Sequence, residues 1–204
     1  MLESARLVSI IREVEEKEII SIIEGLVEEG IRWFEISLSD GENGMKCIRT
    51  SRKYFEGRDV YIGAGTVKKK EEIDVLSDMG VPYILTPGFD EQIVRYALEK
   101  KIEVLPGVLT PSEVQAAVNC GIHLEKLFPD DAFSDRYIKA LKGPFPEMDY
   151  VAVGGVTPEN AVNFYRLGYK GVAAGSNLVP KHAKRSDLKK IRETARKYVE
   201  VSQI

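Results

Sequence analysis

Lys126 interrupts an apolar run, LEKLFP (Leu124–Pro129), that otherwise reads as a β-strand. Side chains alternate along a strand, so Leu124, Lys126 and Phe128 share one face and Glu125 and Leu127 the other. A buried ammonium is costly unless it is paired or sheds its proton. Lys126 therefore sits either on a solvated face or in a site. Glu35 poses the same problem in WFEIS, where Trp33, Glu35 and Ser37 share a face opposite Phe34, Ile36 and Leu38. If Glu35 and Lys126 face a common interior, pairing lowers the burial cost of both. That alone would make a structural ion pair. It would also permit chemistry: a desolvated lysine has a depressed pKa and can add to a carbonyl to form a Schiff base, and a neighbouring carboxylate can move the protons.

Glycines suggest a second kind of chemistry. VGGVTPEN (Val153–Asn160) and AAGSN (Ala173–Asn177) each place glycine just after an apolar strand-like run. Glycine lets backbone N–H groups approach an anion closely, and a nearby helix N-terminus adds positive potential. Glycines also serve tight turns. Two such ends on adjacent strands favour a phosphate cradle made by Gly154, Gly155, Gly175 and Ser176.

The elements that must position these residues follow one recurring phrase: an amphipathic helix, a glycine, then a short apolar run. It occurs as IIEGLVEEG-IRWFEI, IDVLSDMG-VPYIL, VQAAVNCG-IHLEKLF and AVNFYRLG-YKGVAAG. Each glycine stands where a helix ends in the left-handed conformation. Strands are expected near 7–11, 31–37, 60–64, 82–86, 102–106, 123–128, 149–153 and 171–174. A last helix runs from about Asp187 to Val201, with Leu188, Ile191, Ala195 and Tyr198 on one side. TPSE (Thr110–Glu113) reads as a capping box with proline in the first turn, and TPEN (Thr157–Asn160) repeats cap and proline without the acidic partner. Alternating strands and helices imply parallel strands joined by crossovers. Eight such units suggest a single-domain (βα)8 TIM barrel over residues 1–204; an open doubly wound sheet is disfavoured because no GxGxxG follows the first strand.

In such a barrel, chemistry is built at the carboxyl ends of the strands. Those ends carry Arg12, Glu35, GAGT (Gly63–Thr66), TPG (Thr86–Gly88), PGVLTPSE (Pro106–Glu113), Lys126, Gly154–Gly155 and Gly175–Ser176. Polar and glycine-rich residues gather at one rim.

Composition narrows the partners. Charged residues make up 30% of the 204-residue chain and nearly cancel, with a formal net charge of -3. That balance argues against nucleic acid or an anionic membrane surface, while leaving room for a local anion site. The basic cluster Lys68–Lys70 reads as the solvated start of a helix. Two cysteines, Cys47 and Cys120, and two histidines, His123 and His182, lie outside metal-ligand spacing, so neither a zinc site nor a Ser-His-Asp triad is expected. The thiols fit a reducing compartment, and no apolar run approaches the roughly 18 residues of a membrane span. A cytoplasmic chain is the expectation.

In order, FEISL, GAGTV, TPG, PGVLTPSE, KLFP, GGVTPEN and GSNLV resemble the class I aldolase family that cleaves 2-keto-3-deoxy-6-phosphogluconate, 2-keto-3-deoxy-6-phosphogalactonate and, in some members, 4-hydroxy-2-oxoglutarate. The resemblance spans almost the whole chain, from SIIR to GSNLV. It implies that Lys126 forms the Schiff base and that Glu35 acts as general acid/base. It further implies that Arg12, Thr66 and the backbone at Gly65 hold the pyruvyl carboxylate, with Gly154, Gly155, Gly175 and Ser176 on the phosphate. The protonated imine is the electron sink, so no cofactor or metal is implied; products would be pyruvate and glyceraldehyde 3-phosphate, or glyoxylate from the smaller substrate. A homotrimer is implied as well. Three places depart from the pattern. Ser39–Asp40 stand where phosphogluconate enzymes often carry arginine, and Val153 where they carry threonine. Asp130 and Asp131 stand where small neutral residues are usual; acid there opposes an anionic substrate unless those side chains point away or meet Arg136 or Lys139. Two other readings remain: a phosphosugar isomerase or epimerase, which would form no imine, and a non-catalytic sugar-phosphate-binding barrel with Glu35–Lys126 as a structural pair.

Overall fold

The computed structural model describes residues 1–203. Nine parallel strands form one sheet: β1 (Leu7–Ile11), β2 (Trp33–Ser37), β3 (Tyr61–Gly65), β4 (Tyr83–Leu85), β5 (Glu103–Leu105), β6 (Gly107–Val108), β7 (Leu124–Leu127), β8 (Asp149–Val153) and β9 (Gly171–Ala174). Helices fill the crossovers: α1 (Glu16–Glu28), α2 (Glu42–Tyr54), α3 (Lys70–Asp78), α4 (Glu91–Glu99), α5 (Pro111–Asn119), α6 (Arg136–Lys142), α7 (Pro158–Arg166) and α8 (Leu188–Ser202). The strand order is β5-β4-β3-β2-β1-β9-β8-β7-β6, so the two ends of the sheet are consecutive in the chain. The result is a TIM barrel.

The ninth strand is the expected fifth one, broken at Pro106. Proline has no N–H to give to a ladder. Leu105 stays paired with β4, while beyond the proline Gly107 pairs with Lys126 on β7. Pro106 still accepts from the Lys126 N–H at 2.9 Å, and Val108 from the Phe128 N–H at 3.2 Å. Thr86 spans the break, accepting from the Gly107 N–H at 3.2 Å and donating to the Gly88 carbonyl at 2.7 Å.

Alternation sorts the strand residues into two cores. Facing the helices are Phe34, Ile36, Ile62, Ala64, Leu127, Ala152, Val172 and Ala174. Inside the barrel are Val8, Ile10, Trp33, Tyr83, Leu85, Leu105, Leu124, Val151 and Val153, with Leu2 and Ala5 closing the end opposite the site. Trp33 and Leu124 point inward, so Glu35 and Lys126, two residues along the same strands, point inward too.

The helix starts are stitched largely as expected. Glu113 accepts from the Leu109 and Thr110 N–H groups and from the Thr110 hydroxyl at 2.7 to 2.9 Å. At α7, Asn160 takes the reciprocal place that sequence reading left vacant: its side-chain oxygen accepts from the Thr157 N–H at 2.7 Å, and its own N–H donates to the Thr157 hydroxyl at 3.3 Å. An amide serves where an acid was sought. Lys68, Lys69 and Lys70 are exposed at the start of α3.

Candidate active site

Glu35 and Lys126 are 1% and 4% exposed, on β2 and β7, which stand on opposite walls of the barrel. Burial raises the pKa of Glu35 against the opposing pull of Lys126 and Arg12. Burial likewise lowers that of Lys126, with Glu35 opposing the change and Arg12 adding to it. Both shifts favour the uncharged forms. The expected direct pairing is not formed: among the described residues no ion pair within 4.0 Å joins them, and Glu35 Oε2 has no hydrogen-bond partner. The Glu35 carboxyl lies over the Gly65 backbone. Lys126 Nζ instead lies 4.6 Å from the centroid of the Phe128 ring, on the same face of its own strand.

Glu35 explains one glycine. A Cβ added at Gly65 would fall 1.5 Å from Glu35 Oε1, so the carboxyl lies directly over that backbone. The next residue, Thr66, has φ +61°, a left-handed conformation that a β-branched residue rarely adopts. Its hydroxyl lies 2.9 Å from that of Ser37, which is two residues beyond Glu35 on the same strand face.

Above the lysine opens a cleft of about 230 Å³, lined among others by Arg12, Phe128, Gly154, Gly155, Gly175 and Ser176. Phe128 thus borders the cleft and covers the amine. Arg12 reaches the same cleft while its charge acts on both Glu35 and Lys126. The two glycine loops are tied together, because Asn177 donates to the Val156 carbonyl at 2.8 Å. Gly175 has open space where a side chain would stand.

Asp130 and Asp131 lie behind the glycine pair. Asp130 is buried and accepts from the Tyr169 hydroxyl at 2.6 Å. A Cβ at Gly154 would meet Asp131 Oδ1 at 2.9 Å, and one at Gly155 would meet Asp131 Cβ at 2.6 Å. Both glycines also have positive φ, +116° and +61°. Asp131 faces a small pocket shared with Asp135, Asn160 and Tyr169, on the other side of the pair from the Arg12 cleft. The acidic residues point away from the cleft, and no ion pair joins them to Arg136 or Lys139 among the described residues.

The arrangement brings a desolvated amine, a desolvated carboxyl and a cationic, glycine-walled cleft to one end of the barrel. A family model described as KDPG and KHG aldolase matches residues 1–194. The chain belongs to that aldolase family. The 2-dehydro-3-deoxy-6-phosphogalactonate aldolase of Escherichia coli K12 is 35% identical over 173 residues, 84% of this chain and 83% of that protein. The KHG/KDPG aldolase of the same organism is 30% identical over 183 residues, 89% of this chain and 84% of that one. A solved structure described as native KDPGal superposes with a TM-score of 0.88 at 31% identity, covering 97% of this chain and 94% of the other. As a member of this aldolase family the chain is an aldehyde-lyase.

Sequence reading did not assign Phe128, Ser37, Thr86 or Asn177 to the site. For the first two a signal existed, because each lies two residues from a charged residue on one strand face. Thr86 and Asn177 act through contacts between loops that no local pattern marks.

Proposed function

We propose that the chain cleaves a 2-keto-3-deoxy-6-phosphosugar acid to pyruvate and glyceraldehyde 3-phosphate through a Schiff base on Lys126. The same site would cleave 4-hydroxy-2-oxoglutarate to pyruvate and glyoxylate. The observation that carries this reading is Lys126 itself: a buried amine whose pKa is lowered by burial, on the wall opposite a buried carboxyl. Free amine attacks the substrate ketone, the carbinolamine loses water, and the protonated imine accepts the electron pair of the breaking C–C bond. Glu35, its pKa raised by burial, gives its proton to the departing carbinolamine hydroxyl; as the carboxylate it then takes the proton from the substrate's C4 hydroxyl during cleavage and passes it to the pyruvyl enamine. Water then releases pyruvate from Lys126.

Arg12, Thr66 and the Gly65 backbone hold the pyruvyl carboxylate in this reading. Gly154, Gly155, Gly175 and Ser176 hold the phosphate in the cleft they line. The orientation of Asp130 and Asp131 supports it, since their charge stands on the far side of the glycine pair. Val153 and the relative named a phosphogalactonate aldolase favour the galactonate configuration. The resemblance to the family supports a homotrimer, and the free thiols Cys47 and Cys120 fit a cytoplasmic protein. Pyruvate release from both phosphosugar acids, followed with lactate dehydrogenase and NADH, tests the reading. Turnover of either, lost in Lys126→Ala, is expected; turnover of neither, nor of 4-hydroxy-2-oxoglutarate, would overturn it.

A further inference from the structure

Two residues at the rim hold a backbone that a side chain makes costly. Glu13 and His182 have φ of +55° and +57°, in the left-handed region that favours glycine. They meet each other. The His182 N–H donates to the Glu13 carbonyl at 3.0 Å, Lys181 Nζ donates to Glu13 Oε1 at 2.7 Å, and His182 Nε2 lies 3.4 Å from Glu13 Oε2. The Lys181 hydrogen bond holds the Glu13 carboxyl below its usual range, so the clasp is ionic near neutral pH. A turn alone would be better served by glycine; glutamate adds the side-chain contacts at the expense of backbone strain.

The clasp joins two loops that line one cleft. Glu13 follows Arg12, and Lys181–His182 lie in the loop that begins with Gly175, Ser176 and Asn177; Arg12 and those three residues all border the cleft. The second loop is stiff between its glycine and the clasp. The Leu178 and Val179 N–H groups donate to the Gly175 carbonyl at 2.8 and 3.0 Å, and both side chains are buried. Arg12 has no such support of its own. Among the described residues its side chain makes no ion pair, and its buried Nε has no hydrogen-bond partner. Its place in the cleft depends on the backbone that the next residue anchors.

We propose that Glu13 is a positioning residue: clasped to Lys181 and His182, it fixes Arg12 against the Gly175–Asn177 loop and keeps the guanidinium aimed at the anionic substrate. The proposal rests on the reading of this cleft as the substrate site. It gives an acid beside an anion site a favourable effect on binding. A carboxylate acting only through its own charge would repel the substrate instead.

The test is steady-state cleavage by the full chain of the keto acid that wild type turns over best, with Glu13→Ala, Lys181→Ala, the double variant and Glu13→Gly. Each single alanine variant should raise KM about threefold, the scale of one exposed ion pair, with kcat nearly unchanged because a slack Arg12 weakens substrate and transition state alike. The double variant should match either single, since both remove the same contact. Glu13→Gly should share the higher KM without a loss in melting temperature, because glycine relieves the left-handed backbone while the clasp is lost. A KM that falls or stays put in Glu13→Ala, a rise confined to one of the two singles, or additive rises in the double variant would overturn the proposal. So would a lower melting temperature in Glu13→Gly, which would make the contacts general support of the fold. Wild type that cleaves none of the proposed substrates would sink the reading of the site and this inference with it, a result distinct from any difference among active variants.

Discussion

Lys126 and Glu35 were legible because a charge inside an apolar strand has few structural excuses. Their partners were less so. Phe128 is an ordinary strand residue until its ring is seen over the amine, and nothing local announces that Thr66 adopts a left-handed backbone. The expectation of a Glu35–Lys126 ion pair was the natural guess from burial cost; instead the carboxyl lies over Gly65 and the amine against the Phe128 ring. Glu35 carries the proton transfers in the proposed mechanism. Glu35→Gln keeps the shape and removes the base, so kcat should fall by roughly 10²- to 10⁴-fold with a much smaller change in KM. Steady-state kinetics on the phosphosugar acid check this; a kcat within a fewfold of wild type would assign the protons to another group.

At the scale of elements, the glycine-ended helices and the alternating strands were readable almost throughout, since each follows local rules of capping and period. The break at Pro106 was not, because whether a proline ends a strand or divides it depends on which neighbours flank it. Strand β7 carries a second buried acid that no part of the mechanism uses. Glu125 faces the helices, fully buried, with no hydrogen-bond partner for either oxygen among the described residues. Desolvation, with the Glu113 charge adding to it, pushes its pKa up to about 8. A carboxyl raised this far holds its proton in the folded chain and releases it in the unfolded one near the ordinary 4.5. The folded state therefore binds more protons, and stability falls as pH rises from about 4.5 to about 8, then levels. Glu125→Gln removes that linkage. Its melting temperature should exceed wild type by at least about 5 °C at pH 8 and by far less at pH 5. A difference independent of pH would show that Glu125 is solvated or paired.

The whole molecule is a barrel whose polar and glycine-rich strand ends gather at one rim, and that rim was visible once the strand ends were written in order. What sequence could not show was the rear of the glycine-walled cleft. Gly154 and Gly155 make room for Asp131, and Asp130 and Asp131 line a pocket on the other side of the glycine pair from the Arg12 cleft. The phosphate should therefore contribute binding energy realised across the whole substrate. Omitting it from the sugar acid should lower kcat/KM by roughly 10²-fold or more, and comparable values for both substrates would remove the phosphate from this cleft.

The central claim is that Lys126 is the amine on which the chemistry occurs. Incubation with pyruvate, reduction with sodium borohydride and peptide mass spectrometry test it most directly. A reduced pyruvyl adduct on the peptide containing Lys126, absent in Lys126→Ala, is the result expected. An adduct confined to another lysine, or none at all in folded protein, would contradict the account.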